Sequence, residues 1–235
     1  PAIVRALPRC LECRYQATLA AMIIDADTSN IRVTTWDRPK ELPLFDGSES
    51  ALIGDTLNHL TTMSGRIRRL VGEGTMVGSA LTVSVQPGDN LAVWRAMDEA
   101  LPGDVLVINA RGSFGAAILG GQLGQMMRAA GVVGAVVDGP VRDLADLKEC
   151  GLHIYATDRS PLGPTKNGPG EVGYPIACDS TVVRSGDIIV ADADGVTVVP
   201  HDRVQEVLDG VEKKKESEAE LVAKIGNEWK PAKDR

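Results

Sequence analysis

The sequence predicts an α/β fold in which layered sheets carry helices on their outer side. Segments rich in β-branched residues outnumber helical ones along the 235 residues, which favours sheets over a helical bundle. Two Gly-Asp turn signals, at Gly103 and Gly186, each precede an apolar run typical of a buried strand. Near the middle, a strand, a glycine-bearing loop, a helix and a second strand follow one another, which predicts a right-handed βαβ unit.

Local periodicity and composition predict the individual elements. β-Branched residues and short apolar runs indicate strands over 76–85, 105–108, 135–138, 153–156, 175–177, 181–183, 188–191 and 195–199. Helix formers at helical spacing indicate helices over 48–64, 116–130, 144–150 and 203–225. A further helix is predicted after the Pro87-Gly-Asp turn, since Leu91, Trp94 and Arg95 have helical spacing.

Composition limits the class of function. The 32 acidic and 25 basic residues give a formal net charge of -7 and a pI near 5.1, which argues against a nucleic-acid-binding surface. No apolar run approaches the ~20 residues that cross a membrane, and no signal pattern is visible, so we expect a cytoplasmic protein. Four cysteines are few for 235 residues, so we expect free thiols rather than a disulfide framework. Cys10 and Cys13 have only half the spacing of a zinc site, so we expect no metal there.

The most informative stretch runs from Gly131 to Asp143, where an apolar segment ends at an arginine beside an aspartate. Arg142 can bind a carboxylate through two parallel hydrogen bonds, and Asp143 can ligate a hard divalent cation. The pair therefore suits a small 2-oxo acid held next to a metal ion. The alternative is an ordinary ion pair at the start of the helix near Leu144, where Asp143 stabilises the helix dipole.

Two glycine-rich groups lie before and within the predicted helix 116–130. The loop from Asn109 to Gly115 has neither the Gly-Lys-Ser/Thr ending of a P-loop nor the glycine spacing of a dinucleotide site. Gly120 and Gly121 would instead let backbone N–H groups approach an anion closely, which predicts a carboxylate-binding turn. Close helix packing explains the same glycines equally well.

Seven sequence blocks follow one another between Ser48 and the C-terminal helix. They are Pro87-Gly-Asp-Asn-Leu-Ala-Val93, Pro102-Gly-Asp-Val-Leu-Val107, Gly120-Gly121, Gly131-Val-Val-Gly134, Asp138-Gly-Pro-Val-Arg-Asp143, Gly163-Pro-Thr-Lys-Asn-Gly168, and Gly186-Asp187 with Ala191-Asp-Ala-Asp-Gly195. In this order they resemble the RraA-like family, which includes the class II 4-hydroxy-4-methyl-2-oxoglutarate/4-carboxy-4-hydroxy-2-oxoadipate aldolases. Residues 1–47 are not covered, and we expect them to form an N-terminal arm or extension to a catalytic domain of residues 48–235.

The resemblance implies a fold, an assembly and an activity. The fold would be a layered β/β/α sandwich of the swivelling phosphohistidine-domain type, assembled as a homotrimer or homohexamer with its sites between subunits. The activity would be that of a metal-dependent lyase, an aldolase that releases pyruvate from a 4-hydroxy-2-oxo dicarboxylic acid. Oxaloacetate decarboxylase activity would accompany it.

The resemblance also implies roles for individual residues. Asp143 would ligate Mg²⁺ or Mn²⁺, with water in most of the remaining coordination positions. Arg142 would bind the substrate carboxylate or its 2-oxo oxygen, and Lys166 would reach the site from a later loop. The pyruvyl carboxylate would be bound by the backbone of Gly120, Gly121, Gln122 and Leu123.

The sequence departs from the aldolases of this family at Gly121. They typically carry a carboxylate there, 22 positions before the metal-binding aspartate (143 minus 121). Because this carboxylate is missing, the sequence does not identify which aldol substrate is cleaved. Metal binding and decarboxylation of oxaloacetate are still expected. A neighbouring subunit could supply a replacement carboxylate from the last helix, among Glu216, Glu218 and Glu220.

The competing interpretation within the family is a protein-binding regulator of ribonuclease E that has no enzymatic activity. Such a regulator lacks the metal aspartate of the Arg-Asp pair. Because Arg142, Asp143 and Lys166 are all present here, the sequence favours the enzyme.

Overall fold

The computed structural model describes residues 27–228, and within that range the chain forms eleven strands, five α-helices and two 3-10 turns. The strands are β1 (Ile31–Val33), β2 (Arg68–Val71), β3 (Met76–Ser84), β4 (Asp104–Asn109), β5 (Gly134–Val141), β6 (His153–Arg159), β7 (Gly170–Val172), β8 (Ile176–Cys178), β9 (Thr181–Val183), β10 (Ile188–Ala191) and β11 (Val196–Val199). The α-helices are α1 (Ser50–Thr56), α2 (Leu91–Ala96), α3 (Gly121–Ala130), α4 (Leu144–Glu149) and α5 (Val204–Glu228).

Nine of these strands form one mixed sheet with a parallel centre. The hydrogen-bonded order is β1-β7-β3-β4-β5-β6-β2, and β3 also pairs with β10, which continues to β11. The pairs β3–β4, β4–β5 and β5–β6 are parallel, and α3 and α4 connect the last three strands into two βαβ units. β8 and β9 form a separate antiparallel hairpin. The mixed α/β class predicted from the sequence is confirmed.

Three buried apolar clusters separate the layers. The largest lies between the sheet and helices α2, α3 and α4, and includes Ile108 and Leu123. A second lies on the opposite face against β8 and β9, with Tyr155 and Ile176. The third joins α1 and α5 to β10 and β11. Strands β4 and β5 are covered on both faces, which is why their sequences are continuous apolar runs.

The predicted helix 116–130 begins later than expected, at Gly121. The residues before it run extended alongside the end of β5, where Arg142 N–H donates to Leu119 O at 2.9 Å. The helix formers in this segment are overridden by hydrogen bonds to the neighbouring strand. The first turn of α3 consequently lies beside Arg142.

Other differences from the predicted elements have local causes. The predicted helix 48–64 ends at Thr56, because Asn58 and His59 adopt left-handed backbone conformations with φ of 53° and 59°. The sequence pattern does not predict β1, β2 or β7, which have only three or four residues each and whose apolar runs are interrupted by charged side chains.

A register shift interrupts the pairing of β5 with β6 between Val137 and Pro140. Proline has no N–H to donate, so a regular ladder cannot run through this position. Irregularities of this kind bend a strand and change the direction of the side chains that follow. In this chain, those side chains are Arg142 and Asp143.

The segment before α1 packs on the body of the same chain. β1 pairs in parallel with β7, and Phe45 is buried in the cluster with α1 and α5. The division at residue 48 stays a prediction, and the first 26 residues, with Cys10 and Cys13, lie outside the described range. No helix within residues 27–228 is long and apolar enough to span a bilayer.

Candidate active site

A cleft of about 220 Å³ lies where β5 ends, against the first turn of α3. All seven residues that the sequence assigns to the site contribute to its lining: Gly120, Gly121, Gln122, Leu123, Arg142, Asp143 and Lys166. They come from three separate sequence blocks. The parallel order of β4, β5 and β6 brings these blocks together, because the carboxyl ends of parallel strands meet at one edge of a sheet.

Asp143 follows β5 in a left-handed backbone conformation, with φ of 54° and ψ of 44°. Its Oδ2 accepts a hydrogen bond from Gly121 N–H at 3.0 Å and lies 3.4 Å from Arg142 Nε. The side chain does not cap α4, which begins at the next residue. Asp143 thus has the N-cap position and the ion pair of the helix-start alternative, but its carboxylate bonds to the first turn of α3 instead of to α4.

Arg142 lies against two glycines. A β-carbon at Gly163 would lie 2.8 Å from Nη1 of Arg142, and one at Gly120 would lie 3.0 Å from its Cγ. The β-carbon at Gly120 would also lie 2.7 Å from Oδ2 of Asp143. Glycine at these two positions therefore leaves the space that the Arg142 and Asp143 side chains occupy.

The first turn of α3 supplies backbone donors to the cleft. Gly121 N–H is taken by Asp143, and the first intrahelical hydrogen bond runs from Gly124 N–H to Gly120 O at 2.9 Å. The N–H groups of Gln122 and Leu123 therefore have no partner within the helix. A helix N-terminus with free donors favours an anion such as a carboxylate.

A carboxylate also lies next to Gly121. A β-carbon at this position would be 2.6 Å from Oδ2 of Asp146, on α4. Asp146 thus fills the space that a side chain at position 121 would take. The sequence suggests a replacement for the missing carboxylate only on the last helix, whereas in the structure Asp146 lies at this position.

The sequence reasoning also missed two buried residues of the cleft, Asn90 and Trp94. The ring of Trp94 lies under the ammonium of Lys166, with 4.2 Å between Nζ and the ring centroid. Among the described residues, Asn90 Oδ1 and Trp94 Nε1 have no hydrogen-bond partner. Buried polar atoms are normally paired, so both are candidates to contact a substrate or ordered water. The available signal was the Pro87-Gly-Asp-Asn block, which predicts a turn and a helix but gives neither residue a place in the cleft.

The loop that carries Lys166 is held by Asp89, which is 3% exposed. The Asp89 carboxylate accepts hydrogen bonds from Thr165 Oγ1 (2.8 Å), Asn167 N–H (2.6 Å) and Gly168 N–H (3.1 Å). Residues on both sides of Lys166 are thereby fixed to the turn that precedes α2.

A second, more open cavity of about 510 Å³ shares Arg142 and Asp143 with the first. Arg159 and Ser160 also line it. Arg159 ends β6 and is paired in register with Val141, next to Arg142. Within the described part of the chain, no carboxylate forms an ion pair with Arg159. The two cavities therefore place two arginines around one aspartate.

The donor set of the cleft fits a divalent cation that keeps most of its water. The side chain of Asp143 is 42% exposed, and its only hydrogen bond within residues 27–228 is accepted at Oδ2. Among those residues there is no group of three or more His, Cys, Asp or Glu that could enclose a metal ion. Mg²⁺ is commonly held by one or two carboxylates with several waters, and Mn²⁺ prefers the same oxygen ligands.

The free thiols Cys150 and Cys178 show no sign of nucleophilic activation. Burial raises the pKa of both thiols, and for Cys178 the nearby Asp138 and Asp179 raise it further. A raised pKa keeps a thiol protonated near neutral pH, which disfavours a nucleophilic role for either cysteine. The cleft itself contains no cysteine.

Comparison with known sequences gives one consistent family. A family model described as "RraA-like: Aldolase/RraA" matches residues 49–198. A protein of Halalkalibacterium halodurans named "Putative 4-hydroxy-4-methyl-2-oxoglutarate aldolase" is 42% identical over 162 residues, which covers 69% of this chain and 77% of that protein.

Comparison with solved structures points the same way. RraAS2 of Streptomyces coelicolor, described as an unusual member of the RNase ES inhibitor RraA protein family, superposes with a TM-score of 0.72 at 30% identity, covering 79% of this chain and 98% of that one. The RNA-processing inhibitor RraA of a Thermus species superposes with a TM-score of 0.60 at 28% identity, covering 65% and 93%.

Proposed function

The chain belongs to the RraA-like family, and on that premise we propose that it is a divalent-metal-dependent lyase. Its reaction is the cleavage of a carbon–carbon bond of a 4-hydroxy-2-oxo dicarboxylic acid with release of pyruvate, and it decarboxylates oxaloacetate at the same site. One observation carries this proposal: Arg142 and Asp143 share a cleft with the free N–H groups at the start of α3.

The cleft has a separate partner for each polar end of a 2-oxo acid. The N–H groups of Gln122 and Leu123 suit the carboxylate next to the 2-oxo group, since they lie at the positive end of α3. Arg142 suits the 2-oxo oxygen, where its guanidinium stabilises the negative charge that develops as the carbon–carbon bond breaks. Lys166 adds a second positive charge at the same cleft.

Asp143 would hold the divalent cation, Mg²⁺ or Mn²⁺. A bound cation of this kind polarises the 2-oxo group and so lowers the barrier to bond cleavage. Gly121 N–H keeps the Asp143 carboxylate in place. Asp146, whose Oδ2 lies where a β-carbon at residue 121 would be, is assigned the water-orienting role of the missing carboxylate.

A dicarboxylic substrate needs a second cationic group for its distal carboxylate. Arg159 is placed for this role, because it lines the cavity that adjoins Arg142 and Asp143. Its guanidinium forms no ion pair within the described part of the chain, so binding an anion would not break an existing contact. We therefore assign the substrate class as a dicarboxylate.

The fold type and the assembly are part of the same proposal. The layered sheet with helices on one face is consistent with the swivelling phosphohistidine-domain type. A homotrimer or homohexamer would cover the apolar side chains that α5 exposes at Leu221, Val222 and Ile225.

Pyruvate release from 4-hydroxy-4-methyl-2-oxoglutarate and from oxaloacetate tests the proposal. We expect turnover with Mg²⁺ or Mn²⁺, none with EDTA, and a loss of about 100-fold or more in Asp143→Ala and Arg142→Ala. Protein-free blanks are needed because metal ions alone decarboxylate oxaloacetate. Asp98→Ala is the matched control. The side chain of Asp98 is 47% exposed, similar to the 42% of Asp143, but it lies outside the cleft. Absence of metal-dependent turnover on both substrates would overturn the proposal.

The second candidate is a regulator that binds ribonuclease E, and the structural similarity to RraA inhibitors favours it. The two candidates separate in one pair of measurements. Tight binding to ribonuclease E by a protein without lyase activity supports the regulator. Turnover that depends on Asp143, without such binding, supports the enzyme.

A further inference from the structure

Asp89 is in contact with both elements that form the Lys166–Trp94 pair. Three of its hydrogen bonds come from the loop around Lys166: from Thr165 Oγ1, Asn167 N–H and Gly168 N–H. The fourth comes from Leu91 N–H at 2.9 Å, at the start of the helix that carries Trp94. One carboxylate thus connects the lysine loop to the tryptophan helix.

Backbone contacts reinforce the connection without involving Lys166 itself. Thr165 N–H donates to Gly88 O at 2.8 Å, and Asn90 N–H donates to Thr165 O at 3.0 Å. These bonds fix only the residue before Lys166. The residues after it, Asn167 and Gly168, are fixed to the same turn by the Asp89 carboxylate.

Lys166 has little else to hold it. Within residues 27–228 it forms no salt bridge, and its ammonium contacts the face of Trp94. A lysine side chain on a loose loop samples many rotamers, and a catalytic group that moves by about 1 Å can lose on the order of 100-fold in rate. The position of this charge therefore depends on how rigidly its loop is held.

We propose that Asp89 is a positioning residue that holds the Lys166 ammonium on the face of Trp94 at the mouth of the cleft. Its four acceptor interactions make the charge of Lys166 a fixed feature of the site. The proposal deepens the lyase function above and rests on it for its catalytic consequence. The placement of Lys166 itself can be measured without any substrate.

The main test is whether Asp89→Asn reproduces the properties of Lys166→Met. Asparagine keeps the size but replaces one acceptor oxygen with a donor, which opposes the N–H groups of the loop. In a background where the other two tryptophans, Trp36 and Trp229, are phenylalanine, emission reports Trp94 alone. We expect both variants to change Trp94 emission in the same direction, because the ammonium leaves the ring in each.

The second measurement is kcat/KM on a substrate that the parent protein cleaves. We expect Asp89→Asn to lower kcat/KM by about ten- to hundredfold. The double variant with Lys166→Met should be no worse than Lys166→Met alone, because residues that act through one group are not additive.

Asp187→Asn is the matched control. Asp187 is 2% exposed and accepts hydrogen bonds from the backbone of Arg184 (2.8 Å) and His201 (3.0 Å), away from the cleft. It should lower thermal stability while leaving Trp94 emission unchanged, and its effect on kcat/KM should add to that of Lys166→Met.

If Asp89→Asn does not fold, Thr165→Val removes one of the four hydrogen bonds and should give a smaller change of the same sign. Folded Asp89→Asn or Thr165→Val with the Trp94 emission of the parent protein would overturn the proposal. A change of emission without any lyase activity in the parent protein would retain the positioning role and reject the lyase function instead.

Discussion

Two aspartates flank the same cleft and have opposite environments. Asp89 is 3% exposed and accepts four hydrogen bonds from its own chain. The side chain of Asp143 is 42% exposed, its backbone is left-handed, and its carboxylate accepts one backbone hydrogen bond. A carboxylate whose acceptors are all used by the protein stabilises structure. A carboxylate with free acceptors in an open cleft is available to a ligand.

Substitution of each aspartate by asparagine should separate the two roles most strongly. We expect Asp143→Asn to lower turnover by about 100-fold or more while leaving thermal stability nearly unchanged, because asparagine tolerates positive φ as well as aspartate does. Asp89→Asn should instead lower the free energy of unfolding by about 2 kcal/mol, or roughly 4–8 °C in Tm.

Differential scanning calorimetry and pyruvate release on the same samples decide between these expectations. A large loss of stability in Asp143→Asn would contradict the contrast, since it would make Asp143 a structural residue as well. The reverse result, an Asp89→Asn variant with unchanged Tm, would show that the four hydrogen bonds do not limit stability.

Gly120→Ala should have an intermediate effect, confined to activity. The added methyl would lie 2.7 Å from Oδ2 of Asp143 and 3.0 Å from Cγ of Arg142, so both side chains must move. The backbone is not strained, because φ at Gly120 is -155°. We expect kcat/KM to fall about tenfold or more, with at most about 1 kcal/mol lost in stability.

Gly65→Ala is the control for this substitution, because a β-carbon there meets nothing within 4 Å. It should leave kcat/KM and Tm unchanged. If Gly120→Ala behaves like the control, the glycine is not needed for the packing of Arg142 and Asp143.

His153 should give the smallest effect, limited to the pH dependence of stability. Burial, together with the charge of Arg69, lowers the pKa of this imidazole below its ordinary value. Between the lowered pKa and the unfolded value of about 6.5, the unfolded chain therefore binds a proton that the folded chain does not. The contribution of His153 to the free energy of unfolding is therefore fully present above pH 6.5 and declines as the pH falls below that value.

Chemical unfolding of the native protein and of His153→Gln at several pH values measures this contribution. The difference between the two proteins should decrease in the direction of acid, as the native protein loses its advantage. A difference that is constant between pH 8 and pH 5 would contradict the lowered pKa.

The sequence predicted the central strands and the seven residues assigned to the cleft. It did not predict features that depend on contacts between residues far apart in the chain. β4 and β5 are covered on both faces, so their apolar runs identify them directly. The start of α3 was placed too early, because the hydrogen bond from Arg142 to Leu119 cannot be read from helix propensity. The resemblance to a family brought Lys166 into the site, although periodicity gives it no role.

Distant contacts also explain why the roles of Asp89 and Trp94 could not be predicted. Asp89 is bonded to residues 76 to 79 positions away, and no local pattern marks such a partner. Trp94 has the spacing of a core residue and is indeed buried, so nothing in the sequence indicates that its face carries Lys166.

The register shift before Arg142 has a consequence for how this stretch can change. Between the pairs Val137–Ala156 and Pro140–Asp158, β5 advances three residues while β6 advances two, so the loss of one residue near Gly139 would restore a regular ladder and remove the bend before Arg142. A side chain at Gly139 would press against Ala110, 2.7 Å from its β-carbon, whereas a deletion would straighten the strand and redirect Arg142 and Asp143 together. The one extra residue of β5 therefore sets the direction in which Arg142 and Asp143 leave the sheet.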